Sequence, residues 1–171
     1  MPKIRYRVTM SLDGYIAGPK GEIDWIVMDP EIDFGAIFSE FDTLLVGRRT
    51  FETMVKAGRT TMPGMKTIVF SRTLEQAKHP DVTIISHNQS ELLASLRQKP
   101  GKDKWLFGGG ELFGSLLEMG FVDAVEISII PVLLGRGVPL VHSLGDARSL
   151  QLTGHKIFAK TGIVSLQYAV K

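Results

Sequence analysis

Trp105-Leu106-Phe107-Gly108-Gly109-Gly110-Glu111-Leu112 is the stretch on which the fold turns. Bulky apolar residues make a short buried strand, glycines interrupt it, and Leu112, Phe113, Leu116 and Leu117 follow at the spacing of one helix face. A strand that runs through glycine into a helix lets a ligand approach the backbone closely, because no Cβ stands in the way. The amides opening the helix face that ligand with the positive end of the dipole behind them, which suits an anion such as a diphosphate. The same glycines would also serve as a plain tight turn, and Glu111 sets an anion beside the proposed site.

Two other segments repeat the arrangement. Thr43 to Val46 is a short apolar strand opening into Gly47-Arg48-Arg49-Thr50, with a helix from Phe51 to Val55; Thr67 to Phe70 is a strand followed by Ser71-Arg72-Thr73. Guanidiniums match phosphate oxygens bidentately, whereas an isolated Arg pair or Ser-Arg turn is ordinarily a solvated face. In an open α/β sheet, ligands bind outside the carboxyl ends of the strands. Phosphate-suited turns after three separate strands therefore point jointly to an extended nucleotide ligand. Ser71 and Arg72 suit a 2′-phosphate on an adenosine ribose.

The flanking pattern agrees. Ile4, Tyr6, Val8 and Met10 alternate with Arg5, Arg7 and Thr9 as a half-buried strand does, and a Gly-rich loop follows through Gly21. Pro30 introduces a helix over Glu31 to Phe41, Val82 to Ile85 reads as a strand, and Ser90 is placed to cap a helix through Leu96. From Ala124 the strands lengthen: Ala124 to Ile130, Leu150 to Phe158 and Ile163 to Val170, the last two joined as a hairpin by Ala159-Lys160-Thr161-Gly162. The expectation is a three-layer α/β fold. A mostly parallel sheet carries helices on both faces and an antiparallel C-terminal hairpin, with residues 1–171 forming a single domain.

Composition narrows the function. The chain has 171 residues, 44% hydrophobic and 22% charged, with 20 Lys+Arg against 18 Asp+Glu. That balance carries no electrostatic footprint for nucleic acid or a membrane, so any anion site must be local. There is no cysteine, which agrees with a reducing, cytoplasmic setting. No apolar run approaches the ~18 residues of a membrane span. His79, His87, His142 and His155 are scattered, so no metal site is expected. A Gly-x-Gly-x-x-Gly after the first strand, a Gly-Lys-Ser/Thr, and a Gly-x-Ser-x-Gly elbow around Ser11, Ser71 or Ser128 are all missing.

Five segments, in order, resemble the dihydrofolate reductase superfamily, specifically the group similar to the C-terminal reductase domain of the bifunctional riboflavin-biosynthesis deaminase-reductase. They are Ser11-Leu12-Asp13-Gly14-Tyr15-Ile16-Ala17, Leu45 to Glu52, Phe70 to Thr73, Phe107 to Leu112, and Ile130 to Leu140. The resemblance implies an NADPH-dependent reductase. Ile16 and Ala17 would line the nicotinamide, Gly47, Arg48, Arg49 and Thr50 would meet the diphosphate and adenosine side, and Ser71 and Arg72 would hold the 2′-phosphate. Gly108, Gly109, Gly110 and Leu112 would cradle the diphosphate.

The resemblance also implies a substrate and a proton donor. In folate-type relatives a carboxylate on the first helix anchors the pterin; Asp33-Phe34-Gly35-Ala36-Ile37-Phe38 nominates Asp33, with Ser128 as the hydroxyl behind it. An acid in a helix's first turn is equally ordinary dipole chemistry. The branch implies 5-amino-6-(5-phosphoribosylamino)uracil, its phosphate meeting Arg136 or Lys20, and a homodimer. Alternatives are a dihydrofolate reductase, disfavoured by Phe113 where folate enzymes place a tyrosine and by a loose match around Trp25, and a nucleotide- or flavin-binding protein without chemistry. No zinc deaminase signature is present.

Overall fold

The computed structural model describes residues 1–171. Its centre is an eight-stranded sheet built from β1 (Ile4–Ser11), β3 (Phe41–Gly47), β4 (Lys66–Phe70), β5 (Thr83–Ile85), β6 (Asp103–Gly108), β7 (Ala124–Ile130), β9 (Leu150–Phe158) and β10 (Ile163–Val170), in the order β5-β4-β3-β6-β1-β7-β10-β9. Pairing is parallel from β5 through β7, while β10 runs antiparallel to both β7 and β9. A separate two-stranded ladder joins β2 (Tyr15–Ala17) to β8 (Val138–Pro139).

Helices cover both faces, which is why β3, β4 and β6 read as largely continuous apolar runs, whereas β1 and β7, also inside the sheet, alternate because Arg5, Arg7, Glu126 and Ser128 share one polar surface. On one face α3 (Gln89–Gln98) and α4 (Gly110–Glu118) bury Leu93, Phe113 and Leu116 against Ile4, Tyr6, Leu45 and Leu106. On the other, α2 (Arg48–Lys56) buries Phe51 and Met54 against Phe41, Leu44, Val46 and Trp105, with Ile37 and Phe38 of α1 (Phe34–Ser39) packed alongside. The chain winds outward from β1 through β3, β4 and β5, then returns to insert β6 between β1 and β3. That insertion puts the glycine turn of β6 in the middle of the sheet's carboxyl edge, where such folds open a crevice.

Local differences from the sequence reading have identifiable causes. The first helix is shorter than Glu31 to Phe41 because Asp33 is its N-cap, accepting from the Ala36 amide at 2.9 Å, and because Phe41 is 1% exposed as the first residue of β3. Asn88, at φ 57°, rather than Ser90, stands at the N-cap of α3. The helix after β3 starts at Arg48, not Phe51, so Arg48, Arg49 and Thr50 form its first turn.

Candidate active site

Turns leaving β3, β4 and β6 lie side by side, since Gly47 pairs with Phe70 and Val46 with Gly108. A Cβ on Gly47 would sit 3.7 Å from Leu112 Cβ and 3.8 Å from both Gly108 O and Gly109 N. Thr50 Oγ1 lies 3.6 Å from where a Gly108 Cβ would be and 3.4 Å from that of Gly109. Gly47, Thr50, Gly108, Gly109 and Leu112 therefore meet at one place. Neither α2 nor α4 has a side-chain cap, since glycines 47 and 109 occupy the N-cap positions. First-turn amides at both helix starts thus have no side-chain acceptor.

The arginines tie the turns together loosely. Arg48 Nη1 donates to Thr73 Oγ1 at 3.0 Å and lies near Glu52, and Arg49 Nη1 is 3.5 Å from Glu111 Oε1. Exposed pairs of this kind are worth about 0–1 kcal/mol, so a phosphate would displace them readily. Arg72 is exposed and makes neither ion pair nor hydrogen bond to a side chain. Ser71 is buried, and its Oγ accepts from the Thr73 and Leu74 amides at 3.2 and 3.1 Å, which leaves its proton free to donate. Bare backbone, uncapped helix starts and guanidiniums on one edge fit a dinucleotide diphosphate with an additional phosphate.

Gly110 is also constrained by the chain itself. A Cβ there would stand 2.6 Å from Pro139 O and 3.1 Å from Leu140 O, so the missing side chain accommodates the chain itself. Pro139 belongs to the ladder that pairs Tyr15 with Pro139 and Ala17 with Val138, placing Ile16 and Ala17 one strand away from the start of α4. Asp13 secures this ladder. It accepts from Ser11 Oγ at 2.6 Å and from the Gly135 and Leu134 amides at 2.7 and 3.1 Å. The Ser11 hydrogen bond first, then those amides, hold the Asp13 carboxyl below its ordinary value.

A cavity of about 230 Å³ holds both predicted catalytic residues, Asp33 and Ser128, together with Arg7, Glu31, Lys156 and Ser165. One Asp33 oxygen, Oδ1, caps α1, leaving Oδ2 without a protein donor. Three of the lining residues, Ser128, Ser165 and Lys156, lie on one polar rung that crosses four strands: Thr9 pairs with Ser128, Ser128 with Ser165, and Ser165 with Lys156. One step along the same face, Arg7 pairs with Glu126, whose buried carboxylate accepts from Arg5 Nε and Arg7 Nη1, both at 2.6 Å. Burial works against the Arg5 charge, but the hydrogen bonds and charges of Glu126 and Glu40 outweigh it and hold the guanidinium pKa above its usual value.

Arg7, Lys156 and Glu126 escaped the sequence reading, although a signal existed. Glu126 and Ser128 stand at alternate positions of an apolar run, as do Arg5, Arg7 and Thr9. In a sheet covered on both faces, an alternating polar set marks an internal polar surface rather than solvent. Arg136 and Lys20, expected beside the substrate phosphate, do not line the cavity. Both charges act on Glu22, whose carboxyl is held low mainly by backbone hydrogen bonds, its own and that of Lys20. A larger cavity of about 630 Å³, among Phe38, Arg59, Met62, Pro63 and Met65, contains none of the predicted residues. No grouping of His, Cys, Asp and Glu suits a metal ion, and no helix is long and apolar enough to cross a membrane.

Known proteins share this architecture. A protein of Shewanella sp. PV-4 assigned provisionally to riboflavin biosynthesis superposes with a TM-score of 0.84 at 26% identity, covering 100% of this chain and 99% of its own. Dihydrofolate reductase from Enterococcus faecalis, solved with NADP(H) and RAB-propyl, gives 0.71 at 20% identity, covering 99% of this chain and 96% of its own. The diaminohydroxyphosphoribosylaminopyrimidine deaminase/5-amino-6-(5-phosphoribosylamino)uracil reductase of Thermotoga maritima gives 0.72 at 16%, covering 99% of this chain and 57% of that longer one. Both of these establish likeness of fold. In sequence, the uncharacterized protein YyaP of Bacillus subtilis (strain 168) is 32% identical over 173 residues, with 94% of this chain and 91% of that protein covered. With residues 2–164 matching the family model of the RibD C-terminal domain, the chain belongs to the RibD C-terminal domain family.

Proposed function

We propose that this chain is an NADPH-dependent reductase whose substrate is 5-amino-6-(5-phosphoribosylamino)uracil or a closely related heterocycle. The observation that carries the proposal is the meeting of Gly47, Thr50, Gly108, Gly109 and Leu112 at one edge, with Arg48 bridging to Thr73 and Arg72 unengaged beside it. Bound there, NADPH supplies the hydride. The glycine turns and helix-start amides hold its diphosphate, and Arg72 with the Ser71 hydroxyl selects the extra phosphate. Ile16 and Ala17 wall the nicotinamide. In the cavity that Asp33 and Ser128 line, Asp33 Oδ2 relays to the reduced substrate the proton it takes up from solvent, and Ser128 orients the ring.

Thermal-shift titration with NADPH, NADH and FMN, followed by an assay of NADPH oxidation with the phosphoribosylaminouracil and with dihydrofolate, tests this reading. Arg72→Ala is expected to weaken NADPH by roughly 10-fold or more while leaving NADH unchanged, since a charge-assisted phosphate contact is worth about 1.5–3 kcal/mol. Equal affinity of the native protein for the two dinucleotides would refute the assignment. Asn caps helices as well as Asp does, so Asp33→Asn preserves α1; it should lower kcat by about 10²–10⁴-fold with NADPH binding intact.

A further inference from the structure

We infer that Glu126 is a positioning residue, which sets the Arg7 guanidinium in the wall of the substrate cavity before any ligand arrives. This rests on the assignment of that cavity to the substrate. Glu126 is 6% exposed and lies across the β1–β7 ladder from Arg7, on the face that carries Ser128 two residues on. Its two oxygens are divided, Oε1 to Arg5 Nε and Oε2 to Arg7 Nη1, both at 2.6 Å.

The two arginines depend on it unequally. Arg5 is also held through Nη1 by Glu40 at 2.6 Å and Asp103 at 3.1 Å, and its guanidinium lies 4.7 Å from the centre of the Phe41 ring. Arg7 has no other ion-pair partner. Its main chain is fixed by the β1 ladders and by Trp105 Nε1, which donates to Arg7 O at 2.9 Å, so the side chain's aim rests on Glu126. With Nη1 engaged, Nε and Nη2 keep N–H groups that meet no protein acceptor, on a residue that lines the cavity. A guanidinium already ordered loses little freedom when a substrate oxygen, from a ring carbonyl or a phosphate, reaches it.

Two measurements decide the matter. In ligand-free wild-type protein, nitrogen-15 NMR of the arginine side chains should show slowly rotating, resolved Nη protons for Arg7, identified by their disappearance in Arg7→Ala. Glu126→Gln, which leaves Arg5 its two other carboxylates, should collapse them to the freely rotating form. In the reductase assay, Glu126→Gln and Arg7→Ala should each raise KM for the phosphoribosylaminouracil by roughly 10-fold or more, with the NADPH dissociation constant unchanged. The double variant should be no worse than Arg7→Ala alone. A freely rotating Arg7 in the wild type, or KM effects that multiply in the double variant, would overturn the inference. If Glu126→Gln does not fold, Glu126→Asp with the wild-type spectrum serves the same comparison. Ordered Arg7 signals in a protein that turns over neither substrate would leave the positioning intact and count against the proposed activity instead.

Discussion

At the scale of single residues, glycines that look interchangeable in sequence are separated by what surrounds them. A Cβ on Gly109 would lie 3.4 Å from a threonine hydroxyl that can rotate, whereas one on Gly110 would press on the Pro139 and Leu140 carbonyls at 2.6 and 3.1 Å. Gly110→Ala should therefore destabilise the protein by about 1–3 kcal/mol, the cost of overpacking against a backbone with little room to yield. Gly109→Ala should stay within about 1 kcal/mol of wild-type stability and instead weaken NADPH, because the new methyl stands in the proposed diphosphate seat. Denaturant melts and coenzyme titrations on both variants check the contrast; a Gly110→Ala protein as stable as wild type contradicts it. The run Gly108-Gly109-Gly110 was legible as a place where backbone comes close to something. That one of the close neighbours is the chain's own Pro139 was not, since the contact spans a loop with no local signature.

At the scale of elements, ion pairs do what pattern alone does not reveal. Lys104 begins the buried part of β6, with its side chain 5% exposed, and Nζ donates to Asp42 Oδ1 of β3 at 2.6 Å and to Lys102 O at 2.8 Å. Burial opposes ionisation of Asp42, yet the Lys104 hydrogen bond, with help from Thr43 and the Lys102 amide, holds its carboxyl below the ordinary value. Since the folded value is the lower one, the pair's contribution is complete above the unfolded carboxylate pKa and fades as pH falls through the folded value. Asp42→Asn strands a buried ammonium and should cost about 3 kcal/mol near neutrality, or roughly 6–12 °C in Tm. Acid melts should show the deficit shrinking below about pH 4. A deficit independent of pH would assign it to packing. The strands were legible from apolar runs or, in β1, from alternation, and the hairpin from its turn, but helix starts were less so. Asp33 caps α1 through its side chain and Asn88 stands at the start of α3 through left-handed backbone geometry, choices that propensity only suggests, and β2 and β8 are too short to show a period.

At the scale of the whole molecule, the order β5-β4-β3-β6-β1-β7-β10-β9 turns scattered segments into one edge. Alternation of strands and helices indicates a parallel sheet, but neither the return of β6 between β1 and β3 nor the choice of β10 over β9 as partner of β7 is written in local sequence. Both follow from how faces are buried. The topology has a thermodynamic consequence for the proposed coenzyme, because the turns it would bridge belong to β3, β4 and β6, whereas β9 and β10 lie at the far side of β7. NADPH at ~100 times its dissociation constant should stabilise the fold by about 2.7 kcal/mol, which for a chain of this length is roughly 5–11 °C in Tm. Added amide protection should concentrate in the turns after β3, β4 and β6 and in the first turns of α2 and α4. The β9–β10 hairpin, which opens from an exposed edge, should keep its exchange rates in any sub-global opening that spares the coenzyme turns. Hydrogen exchange with and without NADPH resolves this directly. Protection spread evenly over the sheet, or centred on the hairpin, would mean that the dinucleotide sits elsewhere than on the turns that the topology gathers.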